Sequence, residues 1–180
     1  MSLIILDRDG VINHDSDEFI KNPAEWEPID GSLEAIARLN YAGYRVVVIT
    51  NQSGIARGLL DVETLNRIHS KMRRMLAQVG GRIEAILYCP HGPEDGCSCR
   101  KPHNGSFTDL AHRLRVNLDN VPAVGDSIRD VQAAIESKAR PILVRTGKGE
   151  RALAEGLPDG VEVYDDLAAV AAALLEPQVQ

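Results

Sequence analysis

The sequence has few aromatic residues and no long apolar run. Its 180 residues include only two Phe, four Tyr and one Trp, so a core must be built mainly from aliphatic side chains. No apolar run approaches the length that a membrane-spanning helix needs, which argues against a membrane protein. The apolar run near the N-terminus has no basic residues before it and stops at Asp7, so we expect no signal peptide.

The sequence also has no excess of positive charge. Its formal net charge is -6 at pH 7, which argues against nucleic acid or an anionic membrane surface as a partner. An anionic substrate would therefore need Lys, Arg or metal ions placed close to it. The length fits one domain, which we assign to residues 1–176 with a short tail at 177–180. We expect a monomer whose partner is a small molecule.

Cysteine is scarce, and the three cysteines lie in one short window at Cys89, Cys97 and Cys99. A clustered, odd number of thiols without a signal peptide favours a metal site in a reducing, cytoplasmic compartment over disulfide bonds. Together with His91, these thiols make up the ligand set of a tetrahedral Zn²⁺ site. Four protein ligands leave no open position, so the zinc of this loop, residues 89–101, would be structural. The alternative is a loop of free thiols.

Short apolar runs alternate with helical patterns along the chain. Six runs are predicted to be strands: 3–6, 44–50, 83–88, 121–124, 141–144 and 161–164. Ser32 is predicted to cap the first helix, and a second is predicted from Asp61 to about Val79. This alternation predicts an α/β fold with a doubly wound, Rossmann-like parallel sheet and no separate cap domain.

Polar residues follow the ends of several predicted strands. Asp7 and Asp9 follow the first strand, and Asp126 follows the fourth. Because ligands of open α/β sheets bind beyond the carboxyl ends of the strands, these carboxylates are expected in one pocket, where they would suit Mg²⁺. The Thr50 hydroxyl could hold phosphoryl oxygens there, and Lys101 could supply positive charge.

One further carboxylate belongs to the same group. Asp130 follows Asp126 by about one helical turn and so faces the same side. It could hold Lys101 or a metal-bound water, or it could be a solvated charge on the helix surface. A D-x-D tripeptide such as Asp7-Arg8-Asp9 is by itself a weak signal, because it is also a common polar strand end.

The ordered motifs resemble those of the haloacid dehalogenase superfamily of phosphohydrolases. The matching segments are Asp7-Arg8-Asp9-Gly10, Thr50-Asn51, Lys101, and Gly125-Asp126-Ser127 with Asp130. The resemblance implies that Asp7 is a nucleophile forming an aspartyl-phosphate and that Asp9 is the general acid/base. The neighbours of Asp9 must then keep it protonated when the leaving oxygen needs a proton. It also implies three Mg²⁺ ligands and two phosphoryl-binding residues: Asp7, the Asp9 carbonyl and Asp126 for the metal, and Thr50 and Lys101 for the phosphoryl group.

The zinc loop narrows the resemblance to one branch, whose members hydrolyse a heptose bisphosphate or histidinol phosphate. Residues 50–58 resemble the heptose branch, which implies removal of the C7 phosphate of D-glycero-D-manno-heptose 1,7-bisphosphate in the synthesis of lipopolysaccharide precursors. The histidinol-phosphate phosphatases are the alternative. A signalling receiver domain is a rival from another class, but it would carry its acceptor carboxylate after strand three.

Residues of three loops are expected to contact the substrate. They are Asp15, Ser16, Asp17, Glu18, Asn51, Gln52, Ser53, Arg100 and Lys101. Arg100 is next to Lys101, and successive residues of an extended chain point in different directions. Arg100 therefore cannot easily share the target of Lys101. Because a guanidinium binds phosphate in a bidentate manner, Arg100 is predicted to bind the end of the substrate remote from the scissile bond.

Overall fold

The computed structural model describes residues 2–176, and the predicted tail at 177–180 lies outside them. This part of the chain alternates six strands with six α-helices. The strands are β1 (Ser2–Leu6), β2 (Tyr44–Asn51), β3 (Ala85–Cys89), β4 (Pro122–Gly125), β5 (Arg140–Val144) and β6 (Glu162–Tyr164). The helices are α1 (Ser32–Tyr41), α2 (Val62–Gln78), α3 (Gly105–Leu114), α4 (Ile128–Glu136), α5 (Gly149–Glu155) and α6 (Leu167–Leu175). None of the helices within 2–176 is both long enough and apolar enough to cross a membrane.

All six strands are parallel and lie in the order β3-β2-β1-β4-β5-β6, which confirms the predicted doubly wound sheet. The chain builds the sheet outward from β1 in one direction and then returns to β4 on its other side. The Asp7 N–H donates to the Val124 carbonyl over 2.9 Å, so the ends of β1 and β4 lie side by side. This is the switch point at which sheets of this kind bind ligands.

Aliphatic side chains alternate between the two faces of the sheet. In β1, Ile4 and Leu6 are fully buried against the layer formed by α1, α2 and α6, whereas Leu3 and Ile5 pack with α3 and α4. A strand covered on both faces needs apolar residues at successive positions, which is why β1 is the continuous apolar run Leu3–Leu6.

The beginning of α1 differs from the prediction. Gly31, in the left-handed conformation at φ 81°, precedes the helix, and no side chain caps it. The Ser32 hydroxyl instead donates to the Val11 carbonyl over 2.9 Å, which provides a partner for a buried backbone oxygen. In contrast, Asp61 caps α2 through its carboxylate, which accepts from the Thr64 N–H over 2.7 Å.

Candidate active site

A pocket opens at the carboxyl ends of β1, β2 and β4. It is lined by Asp7, Asp9, Asp15, Ser16, Asp17, Phe19, Ile20, Asn51, Gln52, Ser53, Arg100, Lys101, Asp126, Ser127, Arg129, Asp130 and Lys148. Most of the residues named from the sequence are therefore brought together. Two are not among the lining residues: Glu18, which is exposed, and Thr50, which has 1% of its surface exposed.

Lys101 lies at the base of the pocket with 3% of its surface exposed. Its Nζ is 3.2 Å from Asp7 Oδ1 and 2.7 Å from Asp130 Oδ1, and it donates to the Ile49 carbonyl over 2.8 Å. Burial opposes the charge of Lys101, but the carboxylates of Asp130 and Asp7 raise its pKa above the usual range. Lys101 is therefore an ammonium group held against Asp7.

Asp130 fixes Lys101 to the start of α4. While Oδ1 contacts Lys101, Oδ2 accepts from the N–H groups of Asp126 and Ser127, both over 3.0 Å, and from the Ser127 hydroxyl over 2.8 Å. Burial raises the pKa of Asp130, but Lys101 and Ser127 outweigh it and keep the pKa below the usual value. Of the three roles considered for Asp130, the structure shows contact with Lys101, and the residue is buried and not a solvated surface charge.

Asp7 and Asp126 are suited to hold a divalent cation. Carboxylate oxygens of Asp7, Asp126 and Asp130 lie within 4.8 Å of one another. Burial, together with the neighbouring carboxylates, raises the pKa of both Asp7 and Asp126, so a bound cation would favour their ionised forms. Because both Asp130 oxygens already have partners, Asp7 and Asp126 are the carboxylates free to bind Mg²⁺ through the oxygens that this ion prefers.

Two glycines and one backbone amide fix the Asp126 carboxylate. Its Oδ2 accepts from the Lys148 N–H over 2.8 Å. Gly10 and Gly147, at φ 83° and 59°, approach so closely that a Cβ on either would clash with this carboxylate. The other oxygen, Oδ1, remains available for a metal ion.

Hydrogen-bond donors hold the Asp9 carboxylate, which lies outside the carboxylate cluster of Asp7, Asp126 and Asp130. Its Oδ1 accepts from Arg8 Nε over 3.0 Å, Arg8 Nη2 over 2.8 Å and Asn13 Nδ2 over 2.9 Å, and its Oδ2 accepts from Gln52 Nε2 over 3.0 Å. Burial raises the pKa of Asp9, but Arg8 and the other donors outweigh it and lower the pKa below the usual value. The Asp9 carboxyl is therefore ionised in the ligand-free protein, and its protonation when the leaving oxygen needs a proton stays a prediction.

The amides of Asn51 and Gln52 support other site residues. Asn51 accepts from the Lys101 N–H and donates to the Lys101 carbonyl, both over 3.0 Å. Gln52 Nε2 donates to Thr50 Oγ1 over 3.0 Å as well as to Asp9. Asn51 and Gln52 were predicted to contact the substrate. In the structure, their amides hold Lys101, Thr50 and Asp9 in place.

Sequence reasoning missed three cationic residues of the site. Arg8 belongs to the first motif but had no predicted role. It is fully buried and forms an ion pair with Asp9. Arg129 and Lys148 line the pocket, and Lys148 Nζ is 3.2 Å from Asp15 Oδ2. Arg129 lies in the first turn of a helix that begins at a motif, a signal that could have pointed to it.

The predicted zinc ligands form a separate cluster on the loop after β3. The Cys89 sulfur lies 3.1 Å from that of Cys99 and 3.6 Å from that of Cys97, and His91 Nδ1 is 3.3 Å from the Cys99 sulfur. All four ligand atoms are within 4.8 Å of one another, and the thiols are free. A tetrahedral Zn²⁺ with Zn–S bonds of about 2.3 Å separates its sulfurs by roughly 3.8 Å, so the cluster could hold this ion.

Known proteins resemble this chain over almost its full length. A D-glycero-beta-D-manno-heptose-1,7-bisphosphate 7-phosphatase of Bordetella bronchiseptica is 60% identical over 98% of this chain and 99% of its own length. The chain belongs to this phosphatase family. The relative of the same name from Pseudomonas aeruginosa is 54% identical over 97% of this chain and 98% of its own length. A HAD-hydrolase-like family model also matches residues 98–170.

Solved structures of the heptose-bisphosphate phosphatase family agree with this assignment. The Bordetella bronchiseptica enzyme, crystallised with magnesium and phosphate, has a TM-score of 0.96 and 60% identity, covering 97% of this chain and 98% of that one. The Burkholderia thailandensis enzyme has a TM-score of 0.78 and 48% identity, covering 98% and 100%. The resemblance inferred from the motifs is therefore confirmed at the level of the family.

We expect the zinc loop of this family member to depend on its metal. Purified protein should contain about one Zn²⁺ per chain, and Cys97→Ser should lower the free energy of unfolding by on the order of 2 kcal/mol or more because a ligand is lost. For a chain of this size, that corresponds to a fall in Tm of roughly 4–8 °C. Metal analysis and calorimetry would measure both, with Ser98→Ala on the same loop as the control. A zinc-free protein with unchanged Tm and activity would contradict this expectation.

Proposed function

We infer that this protein is a Mg²⁺-dependent phosphatase that removes the C7 phosphate of D-glycero-beta-D-manno-heptose 1,7-bisphosphate. The observation that carries this inference is the 60% identity with a relative of that name over 98% of the chain. The pocket agrees with it, because acidic and basic groups suited to phosphoryl transfer meet at the switch point of the sheet. The relatives described above favour a heptose bisphosphate over the histidinol-phosphate alternative.

Asp7 is the nucleophile in this proposal. A carboxylate approaching a phosphate dianion is opposed by about 4 kcal/mol per pair of unit charges at about 4 Å and an effective dielectric near 20. The Lys101 ammonium, 3.2 Å from Asp7 Oδ1, offsets part of this repulsion. Mg²⁺, held by Asp7, Asp126 and the Asp9 carbonyl, would supply the remaining positive charge. The Asp7 oxygen forms a bond to phosphorus as the bond from phosphorus to the C7 oxygen breaks.

Asp9 is the group that moves protons. Oδ1 already accepts three hydrogen bonds and Oδ2 accepts one, so Oδ2 is the oxygen available to the substrate. When the negative phosphate binds, it favours uptake of a proton from solvent by the Asp9 carboxylate, and Asp9 gives this proton to the C7 oxygen as that oxygen leaves. The resulting carboxylate then takes a proton from the water that hydrolyses the aspartyl-phosphate, and inorganic phosphate is released.

Arg100 and Arg129 bind the phosphate that stays on the sugar. Both line the pocket, and neither forms an ion pair with a carboxylate among residues 2–176. Burial and the neighbouring Arg129 lower the pKa of Arg100, which means that an anion between the two guanidinium groups would relieve their repulsion. Arg100 Nη1 donates to the His91 carbonyl over 3.3 Å, so the zinc loop orients it.

The test is phosphate release from a panel of substrates. The panel contains both anomers of the heptose bisphosphate, histidinol phosphate and fructose 1,6-bisphosphate. We expect the highest kcat/KM for the beta anomer, and phosphorus NMR should find the C1 phosphate retained in the product. A higher kcat/KM for histidinol phosphate, or loss of the C1 phosphate, would overturn the assignment. A stable phospho-Asp without turnover would favour a receiver domain.

Arg100→Ala should separate substrates with one and two phosphates. We expect kcat/KM for the heptose bisphosphate to fall by roughly 10²-fold, since binding energy at the remote phosphate orients the reacting end. The value for p-nitrophenyl phosphate should change less than about threefold, because this substrate has no second phosphate. Arg74→Ala, at an exposed position of α2, serves as the control. An equal loss on both substrates would place Arg100 at the reacting phosphate.

The same proposal includes the setting in which the enzyme acts. We propose that the protein acts as a monomer. A cytoplasmic location fits the free thiols of the zinc loop, because such thiols persist in a reducing compartment. Size measurement in solution would test the first of these statements.

A further inference from the structure

We propose that His69 is a positioning residue for the phosphatase reaction and acts on Asp9 through the buried guanidinium of Arg8. The inference rests on the proposed function only in taking Asp9 as the group that transfers protons. His69 lies on α2, outside the pocket, and 61 residues separate it from Arg8 in the sequence. His69 belongs to none of the motifs discussed above.

Arg8 connects the two residues. No part of Arg8 is exposed, and its ion pair is with Asp9, whose Oδ1 accepts from Nε over 3.0 Å and from Nη2 over 2.8 Å. The remaining terminal nitrogen, Nη1, is 3.1 Å from His69 Nε2. A guanidinium is planar, so fixing Nη1 also fixes the edge that faces Asp9.

His69 is suited to accept this hydrogen bond. A guanidinium can only donate, so Nε2 must be the unprotonated nitrogen of the imidazole. Burial, followed by the charge of Arg8, lowers the pKa of His69 to about 3, so the ring is neutral at physiological pH. His69 is 7% exposed, and the buried Leu65, Ile68 and Met72 anchor α2 on the core.

Removing the His69 acceptor would therefore change the position of the Asp9 oxygen that transfers the proton. Without His69, a donor of the Arg8 cation would be buried with no partner, and the guanidinium would tilt toward another acceptor. Arg8 supplies two of the three hydrogen bonds to Asp9 Oδ1, so this tilt would turn the carboxylate and move Oδ2 from its position beside Gln52. A small misplacement of a proton donor lowers the rate of the chemical step more than it lowers substrate binding.

Two variants separate positioning from packing. His69→Leu keeps an apolar side chain without an acceptor, whereas His69→Gln keeps a neutral oxygen that can accept from Nη1. For the heptose bisphosphate, His69→Leu should lower kcat by roughly tenfold or more while changing KM less than about twofold. His69→Gln should recover at least about a third of the wild-type kcat.

The leaving group provides the readout that a structural role would not change. In single-turnover phosphorylation, His69→Leu should slow an alkyl phosphate, which needs a proton from Asp9, more than p-nitrophenyl phosphate, which does not. Met72→Ala, on the same face of α2, is the control: it should lower Tm without separating the two substrates. The proposal is overturned if His69→Leu keeps full kcat, if both leaving groups slow equally, or if Gln fails to rescue. If the wild-type protein rejects the heptose bisphosphate, the proposed substrate is wrong, and the comparison of alkyl and aryl phosphates still tests His69.

Discussion

Asp7→Asn should reduce steady-state phosphate release by on the order of 10⁴-fold or more, because it removes the attacking oxygen's charge while keeping the shape of the side chain. The amide oxygen can still accept from the Arg8 N–H, which donates to Asp7 Oδ1 over 2.8 Å, and it can still contact Lys101. The fold should therefore persist. Steady-state kinetics with the heptose bisphosphate would measure the loss, and calorimetry would verify the fold.

Two controls make this result decisive. Mass spectrometry must exclude deamidation of Asn back to Asp, which would restore activity. Asp159→Asn, at an exposed position far along the chain from the motifs, should keep wild-type activity. If intact Asp7→Asn retained appreciable turnover, water and not Asp7 would be the attacking group, and the aspartyl-phosphate would have to be abandoned.

Asp9→Asn should slow the same reaction by roughly 10²–10⁴-fold, the usual contribution of a general acid–base group. The variant retains an oxygen for the donors from Arg8 and Asn13 at the position of Oδ1. An amide at the position of Oδ2, however, can neither give up nor take a proton as required. The effect should therefore fall on the chemical steps, with KM changed much less than kcat.

Substrates with different leaving groups test the acid role of Asp9 directly. A phenolate leaves without much help from a proton, whereas the C7 oxygen of the sugar does not. In the phosphorylation step, Asp9→Asn should therefore slow p-nitrophenyl phosphate less than the heptose bisphosphate. Equal slowing of phosphorylation for both substrates would mean that Asp9 is not the acid.

The alternation of strands and helices along the chain, and the polar residues that follow the strand ends, could be predicted from local sequence. The apolar runs of β1 and β4 are covered on both faces of the sheet and end where polar residues begin, at Asp7 and Asp126. The thiols of the zinc loop are likewise close together in the chain. Patterns of this kind involve residues that are close together in the chain, so they can be recognised from the sequence alone.

The partners of buried polar side chains were decided only by the tertiary structure. Arg8 contacts His69, which lies 61 residues away in the sequence. The Asn51 amide forms hydrogen bonds with Lys101, which lies 50 residues away. Ser32 was expected to cap a helix but donates to the carbonyl of Val11 instead. A buried donor must find an acceptor somewhere in the fold, and which acceptor it finds depends on the helices and strands that meet there. The motif resemblance therefore implied proton transfer by Asp9, whereas only the fold shows which donors hold its carboxylate.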